Sequence, residues 1–155
     1  KALKQVHHCK YCNTFCEEEL CDLCQDKERD QSILMVVQMP LDVQAVEAAN
    51  CYRGLYFVLM GGVQPLLNKD LNHIALQQLK HRLQEKNLKE VIIGTNFNAE
   101  GETTAFILQE MLKPYPVVIT RLAHGIPLGG ELEYVDSGTI AQSFYQRNKV
   151  KGNKT

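Results

Sequence analysis

The sequence has no excess of charge of either sign: 17 basic side chains stand against 18 acidic ones in 155 residues, for a net charge of −1. Bulk attraction to a polyanion is therefore not written into the composition. Long hydrophobic runs are also missing. The longest, such as Ile33 to Val37, are far too short to cross a bilayer, and no charged-then-apolar leader opens the chain. No membrane partner is expected, and the sequence reads as cytoplasmic. Internal repeats and low-complexity tracts are absent as well. What is present, 45% apolar and 23% charged residues, suits one domain with a closed core and a small appendage.

The cysteines are distributed unevenly. Five of the six fall between Cys9 and Cys24, and Cys51 stands alone, which argues against a secreted disulfide framework and for a metal site. The segment from Val6 to Asp30 is polar, with only isolated apolar residues such as Phe15, Leu20 and Leu23, so it needs a crosslink or an ion to hold together. Cys9-x-x-Cys12 and Cys21-x-x-Cys24 are two tight turns, each able to aim two thiolates at one ion, joined by an eight-residue link that can fold back. Four thiolates suit tetrahedral zinc, and a closed four-sulfur shell makes the ion structural. Cys16, His7 and His8 are alternative ligands by residue type; the expectation is a spare thiol and two surface histidines. Cys51 is expected to be half-buried packing. Between Cys9 and Cys24 the only basic residue is Lys10, against Glu17, Glu18, Glu19 and Asp22. That favours a scaffold or protein contact over phosphate binding.

After residue 30 the texture changes to alternating strand and helix signals. Ile33 to Val37 reads as a strand covered on both faces, followed by a stop and N-cap at Pro40-Leu41-Asp42 for a helix to about Cys51. Leu55 to Met60 is a second strand, ended by Gly61-Gly62. Leu76, Leu79 and Leu83 mark one face of a helix capped by Asn72. Val91 to Ile93, a helix from Glu100 to Leu112 stopped by Pro114, a strand over Val117 to Ile119, and a helix from about Gly138 to Arg147 complete the series. Strand and helix in alternation require right-handed crossovers, so the fold class is α/β, a mainly parallel sheet flanked by helices. The expected division is a finger over 1–30, an α/β domain over 31–147 and a basic tail over 148–155.

In such a sheet the ligand crevice lies beyond the carboxyl ends of the strands. Those ends bring Gln38, then Thr95-Asn96 with Glu100 and Glu102, then Arg121 with His124, to one edge. Metal-dependent nucleotidyl chemistry would need paired carboxylates there. An amide at Gln38 and Thr95-Asn96-Phe97-Asn98 stand where aspartates would serve, leaving Glu47, Glu100 and Glu102 for at most weak, non-catalytic Mg2+ binding. The pairs Gly61-Gly62 and Gly129-Gly130 read as turns, not phosphate loops.

Several motifs together are specific. They are the cysteine finger closing with Asp26 and Arg29-Asp30, Tyr52-Arg53-Gly54-Leu55-Tyr56, Thr95-Asn96 with Glu100-Gly101-Glu102, Thr120-Arg121-Leu122-Ala123-His124-Gly125-Ile126-Pro127, and Gly130-Glu131-Leu132-Glu133-Tyr134-Val135-Asp136. Over essentially its whole length the chain resembles the RecR family of bacterial recombination mediators. The resemblance implies that the α/β part is a Toprim domain that has lost most of its metal-binding acids and is not known for catalysis. It further implies a ring-shaped homo-oligomer, a tetramer among the candidate sizes, that binds single- and double-stranded DNA. Such a protein works with RecO, and in some bacteria RecF, to load RecA. The family usually carries a helix-hairpin-helix segment ahead of the finger, which is not among these residues, and usually a glutamate where Gln38 stands and a histidine where Phe57 stands.

Three functions follow as expectations. The first is a non-catalytic, nucleoid-associated DNA-repair mediator, with Arg53, Asn96, Glu100, Glu102, Arg121, His124, Arg147 and Lys149 as nucleic-acid or partner contacts. The second is a Toprim-type magnesium-dependent nuclease or primase with a structural finger. The third is a zinc-ribbon protein-interaction module with no nucleic-acid role.

Overall fold

The computed structural model describes residues 6–17, 19–62, 71–85, 87–123, 125–150 and 152. The chain forms two compact units that divide between Arg121 and Leu122. In the first, a short antiparallel ladder of β1 (His7–His8) and β2 (Phe15–Cys16) and one turn of helix α1 (Asp22–Gln25) make the cysteine finger. Then follow β3 (Asp30–Val37), α2 (Pro40–Ala49), β4 (Gly54–Val58), α3 (Leu71–Glu85), β5 (Glu90–Ile93), α4 (Ala99–Leu112) and β6 (Val118–Arg121). The last four strands form one sheet in the order β4-β3-β5-β6, with every pairing parallel. The expected α/β architecture is borne out.

The uninterrupted apolar runs have a direct cause: successive residues of a strand point to opposite faces, and both faces are covered. Leu34 and Val36 of β3, with Leu55 and Phe57 of β4, face α3 and α4 through Ala75, Leu79, Leu83, Leu108 and Leu112. Met35, Val37, Tyr56 and Val58 face the other way, onto Val43 of α2 and Leu23 of the finger. The finger therefore serves as part of the second covering layer. It also covers the carboxyl end of the edge strand β4. The Val58 amide donates to the Cys12 carbonyl at 2.6 Å, and the buried Asn13 amide group donates to the Val58 carbonyl at 2.8 Å. Asn13 takes a left-handed backbone (φ 68°), a conformation asparagine tolerates better than most residues.

Three local expectations are corrected. Asp42 is not the cap of α2. Pro40 occupies the first helical position, where its missing N–H costs nothing, so the cap falls on Met39 and the Asp42 carboxylate accepts the Met39 amide at 3.0 Å from inside the first turn. Asn72 lies within α3, which already includes Leu71, and so does not cap it. Cys51 lies beyond the end of α2 and is exposed. In the second unit a 3₁₀ turn (Leu132–Tyr134) precedes α5 (Ser137–Tyr145), which the Asp136 carboxylate caps by accepting the Thr139 amide at 3.0 Å. Neither element contains a buried residue. His124 and, from the tail, residues 151 and 153–155 lie outside the described residues.

At the amino ends of the strands the linker from the finger is fastened by Arg29. It is 4% exposed, its Nε donates to the Gly54 carbonyl at 2.8 Å, and its two terminal nitrogens grip the Glu47 carboxylate at 3.2 and 2.7 Å. The Tyr56 hydroxyl adds a 2.5 Å bond to the same carboxylate. Removing one partner of such a pair strands the other in a dry site. The Glu47→Gln variant should therefore lose roughly 2–3 kcal/mol of unfolding free energy at pH 7, below the figure for a fully dry pair because the Glu47 side chain is 31% exposed. The Arg29 guanidinium holds the Glu47 carboxyl below its usual range. Its contribution is thus complete above the unfolded value of about 4.3 and is lost as pH falls through the lower folded value. Urea titrations of wild type and Glu47→Gln should differ most near neutrality and converge in acid.

Candidate functional site

Two places concentrate chemistry: the finger's thiols and the carboxyl edge of the sheet. In the finger, the two knuckles are brought together by a Lys10 amide bond to the Glu19 carbonyl at 3.1 Å and a Cys21 amide bond to the Cys9 sulfur at 3.3 Å. All four sulfurs of Cys9, Cys12, Cys21 and Cys24 lie within 4.8 Å of one another, with Cys9–Cys24 at 3.7 Å and Cys12–Cys21 at 3.4 Å. Tetrahedral zinc with Zn–S bonds of about 2.3 Å implies sulfur separations of about 3.8 Å, so the donor set fits the ion. The thiols also differ in acidity. Hydrogen bonding from Cys12 holds Cys9 well below the ordinary thiol range and lowers Cys21 to about 7, while Cys12, bonded to Cys21, is held above it. A bound divalent cation would displace the thiol protons, which makes affinity for it depend on pH.

Cys16 sits on β2, and His7 and His8 are exposed on β1; none of the three belongs to the cluster of ligand atoms. Lys10 pairs with Glu19, so the finger's one cation between the knuckles is already matched.

The parallel strands bring Gln38, Asn96 and Arg121 to one edge, as the pattern of strand ends requires. Gln38 is buried, and its side-chain oxygen accepts the Asn96 amide at 2.7 Å, tying the end of β3 to the loop after β5. Arg121 reaches across the same edge. Its Nη1 donates to the carbonyls of Ile93 and Thr95 at 3.1 and 2.9 Å, and its Nη2 donates to that of Asn96 at 3.0 Å. It also lies 4.3 Å from the centre of the Phe97 ring and 3.5 Å from the Glu102 carboxylate. A guanidinium thus sits among the strand ends at the rim.

The glutamates do not assemble into a pair. α4 begins one residue before Glu100 because Asn98 caps it, its side chain accepting the Gly101 amide at 2.8 Å. That first turn packs so closely on the preceding loop that a β-carbon on Gly101 would fall 2.0 Å from the Asn96 carbonyl oxygen. Glu100 folds over Gly62, where a β-carbon would lie 2.4 Å from its carboxyl carbon. Glu102 turns to Arg121 instead. Glu47 is at the opposite end of the strands, held by Arg29 and Tyr56.

Of the other expected contact residues, Arg53 is exposed just before β4, also at the amino end and away from the crevice. Arg147 and Lys149 are exposed in the second unit, Arg147 donating to the Phe144 carbonyl at 2.8 Å. Sequence reasoning missed the work of Gln38, Asn98 and Arg82. For Gln38 and Arg82 the available signal was a polar residue inside or beside an apolar pattern; for the exposed Asn98 it was an asparagine directly ahead of a helix.

Comparison with known proteins agrees with this geometry. A family model described as the Toprim domain matches residues 32–123, one described as the four-cysteine zinc finger domain of RecR matches residues 6–26, and one described as RecR, C-terminal, matches residues 125–148. A Recombination protein RecR from Neisseria meningitidis serogroup C is 57% identical over 150 residues, covering 97% of this chain and 73% of that protein. Those of Neisseria gonorrhoeae and Chromobacterium violaceum are 55% and 47% identical over the same share of this chain, covering 73% and 76% of their own lengths. No helix among the described residues is long and apolar enough to cross a membrane. The three matching family models and relatives 47–57% identical over 97% of its length show that the chain belongs to the RecR family.

Proposed function

We propose that this chain is a DNA-repair and recombination mediator that does its work by binding, without catalysis, and that its finger is held by one structural zinc ion on Cys9, Cys12, Cys21 and Cys24. The carrying observation is Arg121. A residue that fills the crevice with a guanidinium bonded to three carbonyls supports a rim used for docking, because a metal-assisted phosphoryl transfer needs two carboxylates converging there. The relatives' name supports the recombination role. In this reading the partners are DNA, single- and double-stranded, together with RecO and RecF in promoting RecA loading, and the working form is a homo-oligomeric ring in the cytoplasm. Weak Mg2+ binding at Glu100 or Glu102 would be incidental. Arg53, Arg147 and Lys149 are the candidate phosphate contacts, exposed and on flexible stems.

Retention on single-stranded DNA should weaken linearly in log K against log salt, as phosphate contacts release counterions. A fluorescence-anisotropy titration at several ionic strengths reads this slope; a zero slope removes the nucleic-acid role and leaves the protein-contact module. No Mg2+-dependent cleavage is expected, and Glu100→Gln should leave DNA retention unchanged. Robust turnover lost in Glu100→Gln would establish the nuclease reading instead.

The zinc assignment has its own check. Cys21→Ser should lose bound zinc and expose the finger to protease while most strand and helix signal survives, because the sheet has its own core. Metal content measured by mass spectrometry, unchanged after that substitution, would mean that the ligand set is wrong.

A further inference from the structure

Arg82 breaks the pattern of its helix. The buried face of α3 runs Ala75, Leu79, Leu83, and Arg82 lies beside it only 3% exposed. Its guanidinium stacks 5.3 Å from the centre of the Tyr11 ring and its Nη1 donates to the Tyr11 carbonyl. Nε and Nη2 are buried with no hydrogen-bond partner. Among the described residues no carboxylate stands at ion-pair distance from it. A buried, always-charged side chain with two idle donors is strongly disfavoured unless an anion lies close by.

Tyr11 identifies that anion, since it sits within the turn between Cys9 and Cys12. A zinc ion with four thiolate ligands carries a net charge of −2, a local excess that neighbouring donors and cations must offset. We propose that Arg82 is the counter-cation of the four-thiolate centre: from α3 it offsets part of the cluster's negative charge and holds the Cys9–Cys12 turn in ligating geometry. Burial lowers the pKa of the guanidinium, and Cys24, Cys12 and Cys9 act against that pull. Arg82 is thus a positioning residue for the metal, and it couples the finger to the sheet domain's first covering layer. The inference rests on the zinc reading above.

The test uses the full chain as wild type, Arg82→Lys and Arg82→Met. Zinc affinity is measured by competition with a chromophoric chelator, and the cobalt-substituted proteins are compared by absorption. Arg82→Met should bind zinc roughly 10–100-fold more weakly than wild type, with Arg82→Lys within about threefold of wild type. In Arg82→Met the sulfur-to-cobalt charge-transfer band should also move, while the ligand-field bands keep their tetrahedral form. A role confined to packing would lower the melting temperature of both variants and leave the band where it was. Equal affinity in wild type and Arg82→Met, or equal loss in the two variants, overturns the inference. A wild type that binds no zinc or cobalt overturns the zinc reading itself. Should Arg82→Met fail to fold, hydrogen exchange on the wild type decides: chelating zinc should speed exchange over residues 79–85 relative to α4, and unchanged protection there overturns the coupling.

Discussion

The structure depends on one junction: the turn of the first knuckle is also the lid on the free edge of β4. The Cys12 carbonyl takes the Val58 amide and the Asn13 side chain returns a bond to the Val58 carbonyl, so the backbone that presents a thiol is the same backbone that ends the sheet. An open parallel edge would offer unpaired donors and acceptors to any passing strand. Here the first knuckle covers that edge at Val58, so the order of the finger and the carboxyl end of β4 are tied together.

That constraint explains where the charges went. Three arginines are committed inside the first unit: Arg29 to Glu47 and the start of β4, Arg82 to the first knuckle, Arg121 to the carbonyls at the ends of β5. Each joins segments distant in sequence, and Arg29 and Arg121 use the planar fork of guanidinium donors in a way a lysine cannot reproduce. A near-neutral composition therefore overstates the cations this unit offers to a phosphate backbone, because part of its basic complement works as internal fastening.

Much of this was legible in the sequence, for physical reasons. Strands covered on both faces leave continuous apolar runs, and the spacing of Leu76, Leu79 and Leu83 can belong only to a helix with one buried face, so the alternation of elements followed directly. The paired Cys-x-x-Cys turns announced the cluster of four cysteines, because the geometry of each turn is local. Caps were less visible. Asp42 looks like an N-cap, yet Pro40 fixes the first helical position and moves the cap to Met39. Long-range polar contacts were hidden altogether. Nothing near Gln38 announces that it will bond to the amide of Asn96, and Glu47 looked free to join the crevice until Arg29, 18 positions away, claimed it.

The crevice shows most clearly how residue type, not fold, decides chemistry. A parallel sheet always gathers its strand ends at one edge, and the backbone there is ready for a ligand whatever the side chains are. With carboxylates at the ends of β3 and β5, that edge would concentrate negative charge and call for a divalent cation. With Gln38 and Asn96 instead, neither position carries a formal charge: the Gln38 side chain accepts the Asn96 amide, and the Arg121 guanidinium bonds the main-chain carbonyls of Ile93, Thr95 and Asn96. A guanidinium held in this way is part of the chain, so its place among the strand ends is set by the fold and not by the supply of a free cation.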